Sequence, residues 1–263
     1  MKKFYVLALL CLLVLPVSAQ YMHQTWVKPW QGPKRLFAGV GYQFVIGEPT
    51  FMAEGIGFVK PQQFKNYGSA VGSFGIDMVG NEDGFGIGGC FFYMDIYRDG
   101  WDATFEGGPT YGSAYAPYTY NYTMSGLSLC GAAGLNMNYT IAEKLQILLG
   151  VGIYVGGMTK IKISSAITDD AGKDYGEDPV NYFANYASGS NVNIGLTTHL
   201  QVNYYIGEHF FVGLSGRVDA WPFYNSFASN DYANMYCIGN IMYAACDHRR
   251  RIQTMVTFGY LWN

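Results

Sequence analysis

The chain alternates apolar and polar residues over long stretches, most clearly between residues 190 and 206. Successive side chains of a β-strand point to opposite faces, so a period of two predicts a strand. One face of this segment carries Val192, Ile194, Leu196, Leu200, Val202, Tyr204 and Ile206, with Thr198 breaking the row. The segment is longer than an ordinary globular strand, whereas a tilted strand needs about 9–11 residues to cross a bilayer. We therefore expect the apolar face to contact lipid and the polar face to line a closed barrel.

Seven further segments repeat this pattern, so the sequence predicts eight strands. They cover residues 36–46, 69–79, 85–97, 120–141, 145–164, 190–206, 209–221 and 249–262. The third is ambiguous because both of its faces are apolar. Residues 51–59 and 235–246 could form two more strands, which keeps ten as the alternative count. We interpret them as extensions of hairpins above the membrane, because counting both as spans would put the chain ends on the wrong side.

Short and long connections alternate strictly between these strands. The short turns are 81–84, 142–144 and 207–208, and the long links are 47–68, 98–119, 165–189 and 222–248. Outer-membrane barrels have short periplasmic turns and long extracellular loops. Because the first connection is long, we expect strand one to run outward. Both chain ends would then lie in the periplasm.

The beginning of the chain predicts export. Residues 1–19 combine Lys2 and Lys3 with an apolar stretch and a small-residue cleavage site, as a signal peptide does. Residues 20–35 would form a periplasmic N-terminal arm, and residues 36–263 the barrel. No other stretch reaches about 18 unbroken apolar residues, so no spanning helix is expected. Only helices and closed barrels satisfy the backbone in lipid, so the predicted fold is all-β, an antiparallel up-and-down transmembrane β-barrel.

Composition agrees with this prediction. Charged residues make up 13% of the chain, about half the usual globular share. Hydrophobic residues make up only 50% of the chain, as expected if every second residue of a strand contacts lipid. The net charge of −3 argues against a nucleic-acid partner.

The last strand ends in aromatic residues at period two, Phe258, Tyr260 and Trp262. This resembles the C-terminal signal that the outer-membrane assembly machinery recognises, although Asn263 follows the last aromatic. With the strand pattern, the chain resembles small outer-membrane barrels such as the OmpA transmembrane domain, OmpX and OmpW. Its Gly- and Tyr-rich composition, and Gln20 as the first residue after the predicted cleavage site, resemble those of Bacteroidota barrels. The resemblance implies an outer-membrane location and contact with the assembly machinery, with lipid and with lipopolysaccharide. It transfers no functional residue.

Polar residues of the predicted lumen form one candidate cluster. An eight-stranded barrel is just wide enough for its side chains to fill, so we expect a packed polar plug, with a narrow pore as the alternative. Strand pairing about residues 207–208 places His199 opposite Ser215 and Arg217, with Asp219 one inward step beyond. We expect Arg217 to pair with Asp219. Outer-membrane phospholipases have a Ser where this chain has Gln201, so we expect no catalytic residue.

Four cysteines remain after the signal peptide. Cys237 and Cys246 lie in one external loop, and Cys90 and Cys130 lie on neighbouring strands. An oxidising compartment permits a disulfide at either pair. The sequence has no C-x-x-C and no His/Cys cluster of zinc type, so we expect no cofactor. The loop 165–189 is acidic. It could bind calcium, or it could simply be a solvated loop tip.

A basic cluster marks the start of the last strand, at the predicted outer rim. Arg249, Arg250 and Arg251 lie there, with Lys160 and Lys162 at a similar height on strand five. Guanidinium groups suit phosphate, so this rim could bind lipopolysaccharide or simply be solvated.

We expect a non-enzymatic barrel that displays loops for surface recognition, or an accessory subunit that contacts an envelope protein. The Tyr-, Gly-, Ser- and Asn-rich loops favour recognition. The alternatives are a narrow channel for small or apolar solutes and, third, a lipid-modifying enzyme.

Overall fold

The computed structural model describes residues 34–53, 57–80, 84–106, 118–142, 144–169, 192–225, 236–237, 242–247 and 249–262. The predicted signal peptide and nearly all of the N-terminal arm lie outside these ranges. Within them, no helix is long and apolar enough to cross a membrane.

The described residues form β-strands joined by turns. In chain order the strands are β1 Lys34–Ile46, β2 Pro49–Ala53, β3 Gly57–Val59, β4 Gln63–Asn66, β5 Ser69–Met78, β6 Gly84–Glu106 and β7 Tyr118–Ile141. They continue as β8 Leu145–Asp169, β9 Val192–Ile206, β10 Phe210–Asn225, β11 Tyr236–Cys237, β12 Met242–Asp247 and β13 Arg250–Trp262.

Eight of these strands close a ring. The main sheet has nine strands in the order β4-β6-β5-β1-β13-β10-β9-β8-β7, and a further β6–β7 pairing closes it. Since β4 only borders the upper part of β6, the ring itself has eight members, all paired antiparallel. The predicted eight-stranded up-and-down barrel is therefore confirmed.

The first and last described residues and the short turns lie at the same end of the barrel. Lys34, the first residue of β1, lies opposite Met78 on one side and Trp262 on the other. The turn after β9 uses Gly207 at a φ of 71°, a left-handed conformation that glycine adopts without steric cost. That this end faces the periplasm stays a prediction.

The outer surface of the barrel is an apolar belt. Its side chains alternate with inward ones, and the described outward side chains of β9 are ones that the sequence predicts. Leu36 to Ile46 on β1 spans about 33 Å along the strand, or about 25 Å at a tilt near 40°. This height matches the apolar band of an outer-membrane barrel. Exposed aromatic residues cluster at the short-turn end, where an interfacial girdle is expected: Tyr139, Tyr204, Phe210 and Tyr260.

Beyond the belt, β6, β7 and β8 continue as a tall wall of 23, 24 and 25 residues. The outward positions of this extension become polar or charged, as at Arg98, Glu106 and Asn121. A separate four-stranded sheet, β11-β12-β2-β3, stands at the same end. The described parts of residues 51–59 and 235–246 thus belong to this second sheet and are not barrel strands, as the sequence predicts. We refer to this sheet together with the extension of β4, β6, β7 and β8 as the head.

Candidate functional site

The middle of the lumen is filled by a mainly aromatic cluster. Phe91 and Tyr93 from β6 stack with ring centroids 5.6 Å apart, and the Phe91 ring meets His199 edge-on at 4.5 Å. Glycines on neighbouring, paired strands make room for the rings. A Cβ at Gly75 would lie 2.6 Å from the Phe37 ring, and one at Gly134 would lie 2.7 Å from Phe91. The lumen is therefore plugged as expected, but by rings as much as by polar groups.

An ion-pair network closes the lumen at the short-turn end. The Arg35 guanidinium donates two hydrogen bonds to the Asp77 carboxylate, from Nε to Oδ1 and from Nη2 to Oδ2, each 2.6 Å long. Arg35 also donates to Gln146 and, over 3.3 Å, to the Tyr205 hydroxyl, and its guanidinium stacks 4.9 Å from the Phe211 ring. Arg35 thus joins four strands of the ring across the lumen.

A second arginine crosses the middle of the lumen. Arg217 donates from Nη1 to Asp95 Oδ1 at 2.7 Å and to Ser73 Oγ at 2.9 Å, and lies 3.6 Å from the Tyr93 ring. The predicted pair of Arg217 with Asp219 is wrong. Both residues lie on β10, and the narrow lumen lets Arg217 reach the opposite wall, where Asp95 accepts its charge.

A third group lies at the outer mouth. Asp99 accepts two hydrogen bonds from Arg249, of 3.0 and 3.2 Å, and one of 3.3 Å from Arg251. The sequence predicts a lipopolysaccharide-binding or solvated rim that includes these two arginines, but strand alternation turns both side chains into the lumen, where they are buried against Asp99. Arg250 alone of the three faces outward and is exposed. Lys160 and Lys162 lie on β8, and their side chains are outside the described part of the structure.

His199, Ser215 and Asp219 are all buried in the lumen wall. The strand register places Arg217 opposite His199, Ser215 opposite Gln201 and Asp219 opposite Thr197. Neither the Ser215 hydroxyl nor the Asp219 carboxylate is hydrogen-bonded to His199. These residues are therefore close together but do not form a nucleophile–base arrangement.

Cys90 and Cys130 are separate thiols, so the disulfide that the sequence leaves open between them is not formed. Cys90 lies opposite Leu135, whereas Cys130 lies opposite Asp95, five positions further along β6. Cys130 also points into the lumen, while Cys90 lies on the outward face. The side chains of Cys237 and Cys246 and the acidic loop after Asp169 are outside the described residues.

The head has an aromatic core of its own. Phe51 of β2 is 1% exposed and packs edge-on against Trp101 at 5.3 Å and Phe105 at 5.1 Å, both on β6. Phe64 of β4 closes the cluster 5.9 Å from Trp101. The inner face of the extended wall is thus covered by the chain that follows β1.

A hydrogen-bonded group on the extension fixes β4 to the wall. The Tyr67 hydroxyl donates to Asp102, which also accepts a hydrogen bond of 2.7 Å from Thr123. Partial burial and the bond to Asp102 raise the pKa of Tyr67 to about 12. Tyr67 therefore remains a neutral donor at ordinary pH.

Three residues that organise the lumen are not singled out by the sequence. Arg35 falls in the predicted N-terminal arm, although it precedes Leu36 in the alternating pattern and therefore points inward. Asp95 lies in the predicted strand 85–97, whose faces are ambiguous from sequence, and Asp99 falls in the predicted link 98–119. The charge of Asp95 within an apolar segment is the signal that could have identified it, because a buried carboxylate needs a partner.

Comparisons with solved structures find outer-membrane barrels. Outer membrane protein OprG from Pseudomonas aeruginosa matches with a TM-score of 0.47 at 12% identity, over 88% of this chain and 97% of that one. Neisserial surface protein A matches with a TM-score of 0.36 at 9% identity, over 86% and 96%. Ail, the attachment invasion locus protein of Yersinia pestis, matches with a TM-score of 0.34 at 9% identity, over 88% and 100%.

No protein-family profile matches the sequence, and no curated protein is significantly similar to it. At these identities and TM-scores, the structural matches assign no activity to this chain.

Proposed function

We propose that this protein is a non-enzymatic outer-membrane barrel that presents its external head for recognition, either of a surface ligand or of an envelope protein. The head itself supports this function most directly. Its two sheets pack around an aromatic core at Phe51 and Trp101, entirely beyond the apolar belt. A barrel needs no such structure to be stable in the membrane.

The state of the lumen supports a display function over transport. Among the described residues, four arginines and four aspartates are buried in the lumen: Arg35, Arg217, Arg249 and Arg251 with Asp77, Asp95, Asp99 and Asp219. The arginines form ion pairs with Asp77, Asp95 and Asp99, and together with the aromatic cluster these pairs bridge the narrow lumen at several heights. Buried pairs of this kind resist displacement, because breaking one leaves an uncompensated charge.

Selective labelling of intact cells tests this orientation and location. Lys60 and Lys65 are exposed at the head, whereas Lys34 and Lys144 are exposed at the opposite end. A membrane-impermeant, amine-reactive reagent should modify the first two in intact cells and all four after lysis. Labelling of Lys144 without Lys65 in intact cells would show that the barrel has the opposite orientation. Equal labelling of both lysines would argue against a membrane barrier between them.

A narrow channel is the competing function. Some buried polar groups, such as the side-chain amides of Asn136 and Gln253, have no hydrogen-bond partner within the described protein, which favours some internal water. Single-channel recording in planar bilayers separates the two functions. A display barrel should give no stable conductance steps, whereas reproducible steps would favour the channel.

A further inference from the structure

The apolar belt is interrupted by a groove on one side of the barrel. It encloses about 600 Å³ on the outward face of β9, β10, β13 and β1. Gly216 and Thr254 lie side by side on its floor, as register partners of β10 and β13. Leu200, Leu214 and Val256 form parts of its walls.

Gly216 creates this depression without being required by the backbone. A Cβ at Gly216 would meet one atom, the Gln253 carbonyl oxygen, at 4.0 Å, so the strand has room for a side chain there. Such a side chain would point outward into the groove. The missing side chain therefore leaves a space in the lipid-facing surface. A substitution at Gly216 that fills this space should not disturb the fold.

A positive charge lies on the same strand as part of the groove, further toward the head. Arg250 lies on β13 four residues from Thr254, on the same outward face, which is about 13 Å along the strand. Its side chain is exposed at the outer end of the belt, opposite Ile46. The groove thus lies at mid-height of the belt, and Arg250 is the charged side chain on the same face of β13 toward the head.

We propose that this groove and Arg250 together bind one phosphorylated glycolipid of the lipid A type. An acyl chain would fill the space over Gly216, and a phosphate of the head group would pair with Arg250, since a guanidinium matches phosphate geometry. The inference rests on the proposed outer-membrane location, because that location places this kind of lipid on the side of the head.

Native mass spectrometry of protein purified from outer membranes in mild detergent tests the site. The unaltered protein should retain about one glycolipid per barrel. Gly216→Leu fills the groove and should lower retention by at least about tenfold. Arg250→Gln should lower it about two- to fivefold, as expected for one exposed charge pair.

Two matched variants serve as controls. Gly131 is an outward glycine of β7 whose Cβ would meet its nearest atom, the Tyr93 carbonyl oxygen, at 3.9 Å, so Gly131→Leu adds the same bulk elsewhere. Arg98 is an exposed arginine at the same rim with Ile96 below it, so Arg98→Gln removes the same charge elsewhere. Both should retain the glycolipid like the unaltered protein.

The proposal is overturned if Gly216→Leu retains the glycolipid, or if the retained molecule is a phospholipid or a second copy of the chain. Membrane fractionation is done on the same preparations. If the protein is absent from the outer membrane, the proposed function fails. If it is present there without a retained glycolipid, the lipid site alone fails.

Discussion

Arg35 shows how a single buried charge shapes this barrel. Its guanidinium is fully buried, and its two 2.6 Å hydrogen bonds to Asp77 join β1 to its neighbour β5. Gln146 and Tyr205 add contacts from β8 and β9. Arg35 therefore helps to hold the strands of the ring together, and its buried charge requires Asp77 as a partner.

Removing one partner of this pair should destabilise the protein strongly. Arg35→Met leaves Asp77 buried without its cation, and we expect the free energy of unfolding in detergent micelles to fall by about 3–5 kcal/mol. Arg35→Met with Asp77→Leu should recover most of the loss, because neither charge remains. Lys34→Met, one residue away and exposed, should change stability by less than about 0.5 kcal/mol. Equal effects of Arg35→Met and Lys34→Met in urea titrations would contradict this role.

Gly134 tests the packing of the lumen against the backbone. A Cβ at this position would lie 2.2 Å from the Val151 carbonyl oxygen, and backbone cannot move aside cheaply. We expect Gly134→Ala to lower the free energy of unfolding by about 1–3 kcal/mol. Gly131→Ala, on the outward face of the same strand, should stay within about 0.5 kcal/mol of the unaltered protein. Urea titration checks both, and a neutral Gly134→Ala would show that the lumen is looser than described.

Sequence alternation identifies which residues enter the lumen, but not which of them meet. Arg217 and Asp219 are correctly placed inward from their spacing alone. The partner of Arg217 is instead Asp95, 122 positions away in sequence, because the lumen is narrow enough for the side chain to cross it. Contacts across the ring depend on the stagger of all eight strands. That stagger cannot be obtained from the period of one segment.

At the scale of the strand, periodicity succeeds where the two faces meet different surroundings. On β9 the outward face contacts an apolar environment and the inward face a polar one, so the pattern is clear. On β6 it fails, because Phe91 and Tyr93 fill the lumen while Phe92 and Met94 lie outside. Glycines on neighbouring strands, such as Gly134, were the available clue that rings point inward there.

The two faces of the extension of β6, β7 and β8 have different surroundings from those of the belt. Its outward face is polar, and its inner face is covered by Phe51 and Phe64 instead of by the opposite barrel wall. Sequence predicts that residues 51–59 lie above the membrane, but not that they form a second sheet. That sheet depends on pairing of β2 with β12, which are distant in sequence.

The aromatic core should hold the head together independently of the barrel. Phe51→Ala removes the ring that contacts Trp101 and Phe105, a loss of about 3–5 kcal/mol for a buried aromatic. We expect faster proteolysis of the head with no change in the unfolding midpoint of the barrel. Phe74→Ala, an outward aromatic of the belt, should leave the proteolysis rate of the head unchanged. A lower unfolding midpoint of the barrel in Phe51→Ala would show instead that head and barrel unfold together.

For the whole molecule, three features combine: a closed ring, an apolar exterior and a bridged interior. The ring pairs every strand on both sides, so no lipid-exposed backbone edge remains within the belt. Among the described residues, the buried arginines and aspartates are equal in number, so their formal charges balance. The proposed recognition function and the proposed lipid site consequently lie at the head and at the groove of the outer surface.

The central claim is that lipid solvates the apolar belt and water the extension above it. Nitroxide spin labels on single cysteines, in protein folded into vesicles and lacking its native thiols, measure this directly. At outward positions 196, 200 and 204 of β9, collisions with molecular oxygen should exceed those with a water-soluble nickel chelate. At positions 121 and 125 on the extension of β7, the order should reverse. Nickel collisions at position 200 as frequent as those at position 125 would contradict a membrane-spanning barrel.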